Sequence, residues 1–281
     1  MSRTLDGTRV ALTGGAQGIG RALAERLVEG GARVALGDLD AELAARTAKE
    51  IGGDTVALPL DVGDRLSFAA FLDDADEQLG GLDVLVNNAG IMPIGPFLDE
   101  DDAVTDRVVD VDLRGVLVGS KLAGHKFRDQ GHGHVVNIAS VLGMIASPNA
   151  ATYCATKYAV IGLGEALRQE WRGTGISVST VCPGFVRTEL IAGMPTSAVI
   201  ERFLMVDADD VARATAEVIA DGRSRNAYVP LTAGAGGLTS KLMPARLRDR
   251  VFRAAGGHKV TQNIDQSRRA AYRARVEKGL S

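Results

Sequence analysis

The sequence predicts an α/β fold in which a parallel sheet is covered by helices on both faces. Apolar runs of strand length alternate with helical patterns along the chain, a rhythm typical of repeated strand–helix units. Several of these runs end in polar clusters, and ligands of such sheets bind at the carboxyl ends of the strands. With 281 residues, 46% of them apolar, and a net charge of −3, the chain is long enough for one large core.

A glycine-rich turn separates the first predicted strand, residues 8–12, from a helical pattern through Leu23 and Leu27. In such a turn, backbone N–H groups and a helix N-terminus face a phosphate, and glycines allow close approach. The turn predicts a dinucleotide pyrophosphate site. Its G-x-x-x-G-x-G spacing departs from the common G-x-G-x-x-G fingerprint of dinucleotide-binding sites. The alternative is that the glycines only form a tight connection between strand and helix. The residues expected to contact the cofactor are Gly14, Gln17, Gly18, Ile19 and Gly20.

The second predicted strand, residues 33–37, ends at Asp38. An acidic residue roughly 20 positions beyond the glycine turn is placed to accept hydrogen bonds from the adenosine ribose and would repel a 2′-phosphate. Leu39 and Asp40 follow, and no Arg or Lys lies in the turn or directly after Asp38. The sequence therefore favours NAD as the cofactor, with NADP as the alternative.

Polar clusters also end the next two predicted strands, which cover residues 55–60 and 82–86. Helices are expected before each of them, over residues 41–51 and 65–79. A polar residue followed by an apolar one can contact the edge and the face of an adenine. The further residues expected at the cofactor are Asp61, Val62, Asn88, Ala89 and Gly90.

Tyr153 and Lys157 are the centre of the predicted site. Because they lie four residues apart on a predicted helix, the phenol and the ammonium share one face. The positive charge favours the phenolate and is expected to lower the tyrosine pKa from its usual value of about 10. Ser140 ends the apolar run 135–139 and can reach the same substrate oxygen. The pattern predicts an acid–base site for an alcohol or carbonyl; a core tyrosine beside an exposed lysine is the alternative.

Taken together, these motifs resemble the short-chain dehydrogenase/reductase family. They occur in family order: T-G-x-x-x-G-I-G at 13–20, D-V at 61–62, N-N-A-G at 87–90, I-A-S at 138–140, Y-x-x-x-K at 153–157, and P-G followed by a threonine at 183–188. The resemblance implies a Rossmann-type, doubly wound sheet of about seven parallel strands and hydride transfer to or from a nicotinamide. It implies Ser140, Tyr153 and Lys157 as catalytic residues. The cofactor contacts that it adds are Tyr153, Lys157, Pro183, Gly184, Val186 and Thr188.

Asp112 departs from the family pattern. It stands in the stretch 107–115, where the family usually has an asparagine that is the fourth member of the catalytic set. If the important contact is the backbone carbonyl, the change matters little. If the side chain matters, a carboxylate loses two donors and adds a negative charge beside Lys157. We expect Asp112 as the fourth catalytic residue, with the effect of its charge left open.

Three apolar segments, residues 91–99, 141–145 and 189–206, are expected to overhang the site. Their composition predicts a hydrophobic substrate, although core packing explains such residues equally well. The last segment is expected to be a loop and short helix that form a mobile lid.

The C-terminal part of the chain is expected to be a basic helical extension. Residues 241–281 hold eleven Lys and Arg against three Asp and Glu, a net of +8, which leaves −11 on residues 1–240. Apolar residues recur at helical spacing between Leu242 and Phe252, and a second candidate helix covers residues 266–277. We expect a catalytic domain at 1–235 and an extension at 236–281 that packs on it or on a neighbouring subunit, with an anionic membrane surface as the alternative.

Composition argues against a disulfide-rich secreted protein, a membrane protein and a metalloprotein. Cys154 and Cys182 are too few for a disulfide framework, and neither a signal peptide nor a membrane-spanning run is recognisable. His132 and His134 have no Cys or carboxylate cluster beside them, so a solvated loop is expected there and no metal site. The expectation is a cytoplasmic enzyme that forms a homodimer or homotetramer, acts on a small molecule and binds no nucleic acid. A nucleotide-binding sensor or scaffold is the alternative.

Overall fold

The computed structural model describes residues 4–195, 198–257, 261–262, 264–265, 267, 269 and 272. Within them, seven strands form one sheet in which every neighbouring pair is parallel. A further pair of short strands lies outside this sheet. The strands are β1 (Arg9–Thr13), β2 (Arg33–Asp38), β3 (Thr55–Pro59), β4 (Val84–Asn87), β5 (Gly133–Ile138), β6 (Ile176–Pro183), the separate pair β7 (Phe185–Val186) and β8 (Met205–Val206), and β9 (Asn226–Val229).

Helices connect the strands and cover both faces of the sheet. They are α1 (Gly18–Glu29), α2 (Ala41–Ile51), α3 (Arg65–Leu79), α4 (Asp102–Val109), α5 (Gly115–Gln130), α6 (Ala151–Glu170), α7 (Ala198–Phe203), α8 (Ala208–Asp221), α9 (Leu231–Leu242) and α10 (Ala245–Ala254). The spatial strand order is β3-β2-β1-β4-β5-β6-β9, the doubly wound arrangement. The predicted fold class is confirmed.

The alternation of side chains along β1 explains the two layers of helices. Val10 and Leu12 face one side of the sheet and pack with α1 and α8, whereas Ala11 faces the other side and packs with α3 and α5. All three residues are fully buried, as expected for a strand covered on both faces. A third apolar cluster surrounds α6 and the loops beyond the carboxyl ends of the strands.

Capping residues set the bounds of α2 and α3, which match the sequence prediction. The Asp40 and Asp64 carboxylates accept hydrogen bonds from the N–H groups of Leu43 and Leu66 at the two helix starts, which satisfies donors that the helix leaves unpaired. Gly80 ends α3 in the left-handed conformation, with a φ of 72°.

The sheet reverses its direction of growth between β1 and β4, which places a crevice at their carboxyl ends. The glycine turn, the loop after β4 and the end of β5 all open onto this edge. Among the described residues, no helix is long and apolar enough to cross a membrane.

Candidate active site

The glycine turn lies between the end of β1 and the N-terminus of α1. Gly14 and Gly18 have φ angles of 65° and 57°, a region that other residues rarely adopt. A Cβ on Gly20 would lie 2.0 Å from the carbonyl oxygen of Gly14, so the turn accepts only glycine there. Gln17 precedes α1 without a side-chain capping bond, and the first turn of α1 holds no acidic residue. This arrangement fits a pyrophosphate, which needs unobstructed N–H donors.

Thr13 and Asn88 tie the glycine turn to the end of β4. The Thr13 hydroxyl accepts hydrogen bonds from the N–H groups of Asn88 and Ala89, each at 3.0 Å. The Asn88 amide donates to the carbonyls of Thr13 and Gly14, also at 3.0 Å. The side chain of Asn88 therefore holds the turn in place. Its amide group donates to two backbone carbonyls of the turn.

Asp38 ends β2 next to the same turn. One carboxylate oxygen accepts from the N–H of Ala16 at 3.0 Å and the other from the N–H of Asp40 at 3.1 Å. Burial raises the pKa of Asp38, and these backbone bonds oppose the rise. Since a carboxylate oxygen has two acceptor sites, each can still accept from a ligand hydroxyl. Leu39 beside it is 54% exposed.

Asp61 lies at the end of β3 and pairs with Arg107, which the sequence analysis did not assign to the site. The Arg107 Nη1 atom is 3.2 Å and 3.3 Å from the two Asp61 oxygens, and Asp61 also accepts from the N–H of Gly63 at 2.9 Å. Val62 is buried against Gly115, where a Cβ would come within 3.0 Å of the valine. The carboxylate is thus oriented by a partner 46 residues away, which explains why spacing gave no signal.

Ser140, Tyr153 and Lys157 meet beyond the carboxyl end of β5. Ser140 follows this strand, and its hydroxyl accepts from the N–H of Leu142 at 3.1 Å. Ser140 and Tyr153 line the same cavity. Tyr153 and Lys157 lie on successive turns of α6, with the Lys157 ammonium 5.4 Å from the centroid of the tyrosine ring. All three side chains are buried.

Asp112 brings a negative charge to this group. It lies in a π-helical turn, residues 110–114, that joins α4 to α5. One oxygen is 3.4 Å from the Lys157 ammonium and the other accepts from the N–H of Ile91 at 2.7 Å. Burial raises the pKa of Asp112, while Lys157 and the Ile91 N–H act in the opposite direction. It is the side chain of Asp112 that faces the lysine.

The opposite wall is formed by Pro183, the last residue of β6, and by Gly184, Val186 and Thr188, which follow it. Together with Ser140 and Tyr153 they line a cavity of about 50 Å³ whose other walls include Ile19, Met92 and Leu190. A Cβ on Gly18 would lie 3.6 Å from the Thr188 methyl group, so this threonine faces the glycine turn. The hydroxyl groups of Ser140 and Tyr153 and the glycine turn therefore border one continuous space.

Comparison with known proteins identifies the family. Residues 8–197 match the family model described as short chain dehydrogenase. The chain belongs to the short chain dehydrogenase family.

Relatives of this short chain dehydrogenase act on hydroxyl groups. Over 198 residues it is 37% identical to the 2,5-dichloro-2,5-cyclohexadiene-1,4-diol dehydrogenase LinX of Sphingobium indicum, covering 69% of this chain and 79% of the relative. It is 40% identical over 191 residues to cis-4-hydroxycyclohexanecarboxylate dehydrogenase of Sinomonas cyclohexanicum, covering 66% and 77%. The protein is thus an oxidoreductase of the Rossmann-fold class.

Two solved structures resemble the whole catalytic region. The 3-ketoacyl-(acyl-carrier-protein) reductase of Brucella melitensis, complexed with NADH, gives a TM-score of 0.73 at 28% identity and covers 80% of this chain and 98% of its own. A short chain dehydrogenase/reductase of Burkholderia phymatum, in complex with NAD, gives 0.72 at 30% identity and covers 79% and 89%. These likenesses support a nicotinamide cofactor for this dehydrogenase.

The electrostatics of Tyr153 differ from the sequence-based expectation. Lys157 was expected to lower the tyrosine pKa, but the structure raises it. Burial disfavours the phenolate and the Asp112 carboxylate adds a like charge, while the bond from Ser140 opposes both. Helical spacing gave the shared face correctly, whereas the depth of burial and the acidic neighbour depend on tertiary packing.

His134 is a second correction. The segment His132-Gly133-His134 was expected to be a solvated loop, but β5 begins at Gly133 and His134 is buried, with a ring nitrogen 2.9 Å from the Ser179 hydroxyl. His132 is exposed. No group of three or more His, Cys, Asp or Glu able to hold a metal occurs in the part of the chain that the structure describes.

The sequence analysis missed two residues of the C-terminal extension that reach the site. Arg269 donates to the carbonyls of Met92 and Leu190 at 2.7 Å and 2.9 Å. The Tyr272 hydroxyl accepts from the N–H of Met92. They are 2% and 9% exposed. Nothing in a tail with eleven basic residues marks which one is buried, and most of the candidate helix at 266–277 lies outside the described residues.

Proposed function

We propose that the protein is an NAD(H)-dependent dehydrogenase that interconverts a secondary alcohol and a ketone or aldehyde. The observation that carries this proposal is the convergence of the Ser140 and Tyr153 hydroxyl groups on the cavity that the glycine turn and Thr188 also border. A substrate oxygen in this cavity would be within reach of both hydroxyls. Tyr153 can exchange a proton with this oxygen, and Ser140 can form a hydrogen bond to it.

In the oxidation direction, Tyr153 accepts the proton of the substrate hydroxyl as general base, and Ser140 holds the substrate oxygen by a hydrogen bond. In reduction, Tyr153 returns the proton as general acid. The nicotinamide supplies the hydride acceptor or donor when the cofactor is bound. Lys157 is assigned to the nicotinamide ribose and, as a cation 5.4 Å from the tyrosine ring, it favours the phenolate.

Asp112 acts in this proposal as a positioning residue. Its two oxygens connect the Lys157 ammonium to the N–H of Ile91, so it fixes the lysine relative to the loop after β4. The same carboxylate works against the tyrosine phenolate. An enzyme with this pair is expected to need a higher pH for alcohol oxidation than one with a neutral side chain at this position.

The proposed cofactor is NAD. Gly14, Gln17, Gly18, Ile19 and Gly20 would surround the pyrophosphate. Asp38 would accept hydrogen bonds from the adenosine ribose and repel a 2′-phosphate, since its carboxylate already faces the turn through Ala16. Asp61, Val62, Asn88, Ala89, Gly90, Pro183, Gly184, Val186 and Thr188 complete the proposed contacts.

An apolar substrate is proposed because the cavity walls are mainly aliphatic. Met92, Leu142, Phe185, Leu190 and Ile191 line it. Two relatives are named for substrates with a six-membered carbon ring, a cyclohexadiene and a cyclohexane, and a third, from Eggerthella lenta, is a 3beta-hydroxysteroid dehydrogenase. Alicyclic secondary alcohols are therefore the first class to test.

The test is a screen of secondary alcohols and ketones of increasing ring size, each with NAD(H) and with NADP(H). Turnover is measured from the absorbance of the reduced cofactor. Turnover of alicyclic alcohols with NAD supports the proposal. Turnover with NADP alone would replace the cofactor assignment. NADH binding without turnover of any alcohol or ketone would favour a nucleotide-binding sensor.

A further inference from the structure

One C-terminal segment is hydrogen-bonded to all three loops that overhang the site. We use the name strap for residues 261, 262, 264, 265, 267, 269 and 272, which the structure describes. Thr261 contacts the loop after β5: its hydroxyl is 3.1 Å from that of Ser147, and its carbonyl accepts from the Asn149 amide at 2.7 Å. The N–H of Asp265 donates to the carbonyl of Gly193 in the lid at 3.0 Å.

Arg269 connects the remaining loop to the lid. One terminal nitrogen donates to the carbonyl of Met92, in the loop after β4, and the other to the carbonyl of Leu190. The planar guanidinium has several donors in fixed geometry and can bridge two carbonyls at once. Its carbon lies 4.9 Å from the centroid of the Tyr272 ring, an arrangement that a cation and an aromatic face favour.

Both carbonyls that Arg269 holds belong to residues that line the cavity, Met92 and Leu190. With the strap in place the cavity measures about 50 Å³, and Met92 and Leu190 form two of its walls. The width of the substrate space therefore depends on how firmly these two walls are held together.

We propose that the strap is the specificity-determining wall of the substrate pocket and that Arg269 is its positioning residue. The strap draws the lid toward the loop after β4 and restricts the pocket to compact substrates. Substrates larger than the closed space enter only when the Arg269 bridge opens. The effect on substrate selection rests on the proposed dehydrogenase function. The Arg269 bridge between the two loops does not depend on that function.

The first experiment measures amide hydrogen exchange in the full-length protein, which needs no turnover. Arg269→Met keeps the length of the side chain and removes its donors. We expect exchange to become at least fivefold faster at residues 188–195 and 91–95, with no change at the glycine turn. Arg253→Met, an exposed arginine on α10, is the matched control and should change neither segment. Unchanged exchange in Arg269→Met would overturn the proposal.

The second experiment compares kcat/KM for a compact and a bulky alicyclic alcohol. Arg269→Met should raise the ratio of kcat/KM for the bulky alcohol to that for the compact alcohol at least tenfold, mainly by lowering KM for the bulky substrate. It should leave the NADH dissociation constant within twofold. Arg269→Lys should fall between, because an ammonium lacks the fixed fork that reaches both carbonyls. An unchanged ratio in Arg269→Met would contradict the assignment of specificity.

Tyr272→Phe keeps the inference testable if Arg269→Met fails to fold, because it removes one oxygen and keeps the ring. Faster exchange at 91–95 and a ratio shifted toward bulky substrates are expected; unchanged values in both measurements overturn the proposal. The two proposals fail in different ways. Faster exchange without turnover of any alcohol refutes the dehydrogenase function, whereas normal turnover with unchanged exchange and ratio refutes the strap.

Discussion

The Lys157 ammonium is shared between two buried acids, Tyr153 and Asp112. Lys157 favours the charged form of Asp112, whereas burial and the negative charge of Asp112 both disfavour the Tyr153 phenolate. The identity of residue 112 therefore adjusts the proton affinity of the proposed general base. An isolated Y-x-x-x-K pattern does not contain this information.

Replacing Asp112 with asparagine should lower the pKa of Tyr153, because it removes the like charge that raises it. More phenolate is then present at a given pH, so the rising limb of kcat/KM for alcohol oxidation should move to lower pH and the rate at pH 7 should increase, roughly severalfold. The pH–rate profile measures this. Asp110→Asn, in the same π-helical turn, is the matched control. A limb that stays in place or moves to higher pH would contradict the assigned electrostatics.

Asp38 is the residue proposed to select the cofactor. NADH should bind at least tenfold more tightly than NADPH, about 1.4 kcal/mol, because a 2′-phosphate would meet the carboxylate. Asp38→Ala should bring the ratio of the NADPH to the NADH dissociation constant closer to one. Asp40→Ala, two residues further along the chain, should leave this ratio unchanged. Fluorescence titration with both cofactors gives the ratio. Equal affinities in the unmodified protein would refute the assignment.

At the scale of elements, close backbone approach defines the cofactor turn. A Cβ on Gly20 would lie 2.0 Å from the Gly14 carbonyl and 2.8 Å from the Asn88 amide. One added methyl group would therefore clash with the backbone of the turn and with the side chain that holds it. The turn, α1 and the end of β4 thus depend on one another. The sequence indicated the turn, but not that Asn88 holds it in place.

Gly20→Ala should therefore weaken NADH binding more than tenfold and lower the thermal midpoint of unfolding. Gly162→Ala is the matched control, since this residue lies inside α6 with no atom within 4 Å of the added Cβ. There the change should be neutral or stabilise the protein by up to about 1 kcal/mol, the difference in helix propensity. Calorimetry and NADH titration test the pair. Normal NADH affinity in Gly20→Ala would show that the turn does not carry the pyrophosphate.

Local patterns predicted the approximate bounds of α2 and α3, and in the structure Asp40, Asp64 and Gly80 mark their ends. The same signals did not predict the π-helical turn at 110–114. It continues a helical pattern from α4 into α5 without a break in the sequence. Its existence depends on the buried contacts of Asp112, which are made with distant residues.

Over the whole molecule, periodicity and motif order predicted the sheet, its covering helices and the meeting of Ser140, Tyr153 and Lys157. The contacts from Arg107, Arg269 and Tyr272 were missed because they join residues far apart in the chain. For the extension, α10 leaves Leu247 and Val251 about half exposed, whereas Thr261, Arg269 and Tyr272 are buried. The membrane-surface alternative for α10 stays a prediction.

Tyr153 is proposed to exchange the proton of the substrate. The most direct measurement is kcat for an alicyclic alcohol, with the NADH dissociation constant, in Tyr153→Phe and in Tyr158→Phe, whose hydroxyl bonds the carbonyl of Met144. We expect Tyr153→Phe to lose at least a hundredfold in kcat, the lower end of general acid–base contributions, while its NADH affinity stays within twofold and Tyr158→Phe remains active. A Tyr153→Phe enzyme with kcat within tenfold of the unmodified protein would contradict this assignment of Tyr153.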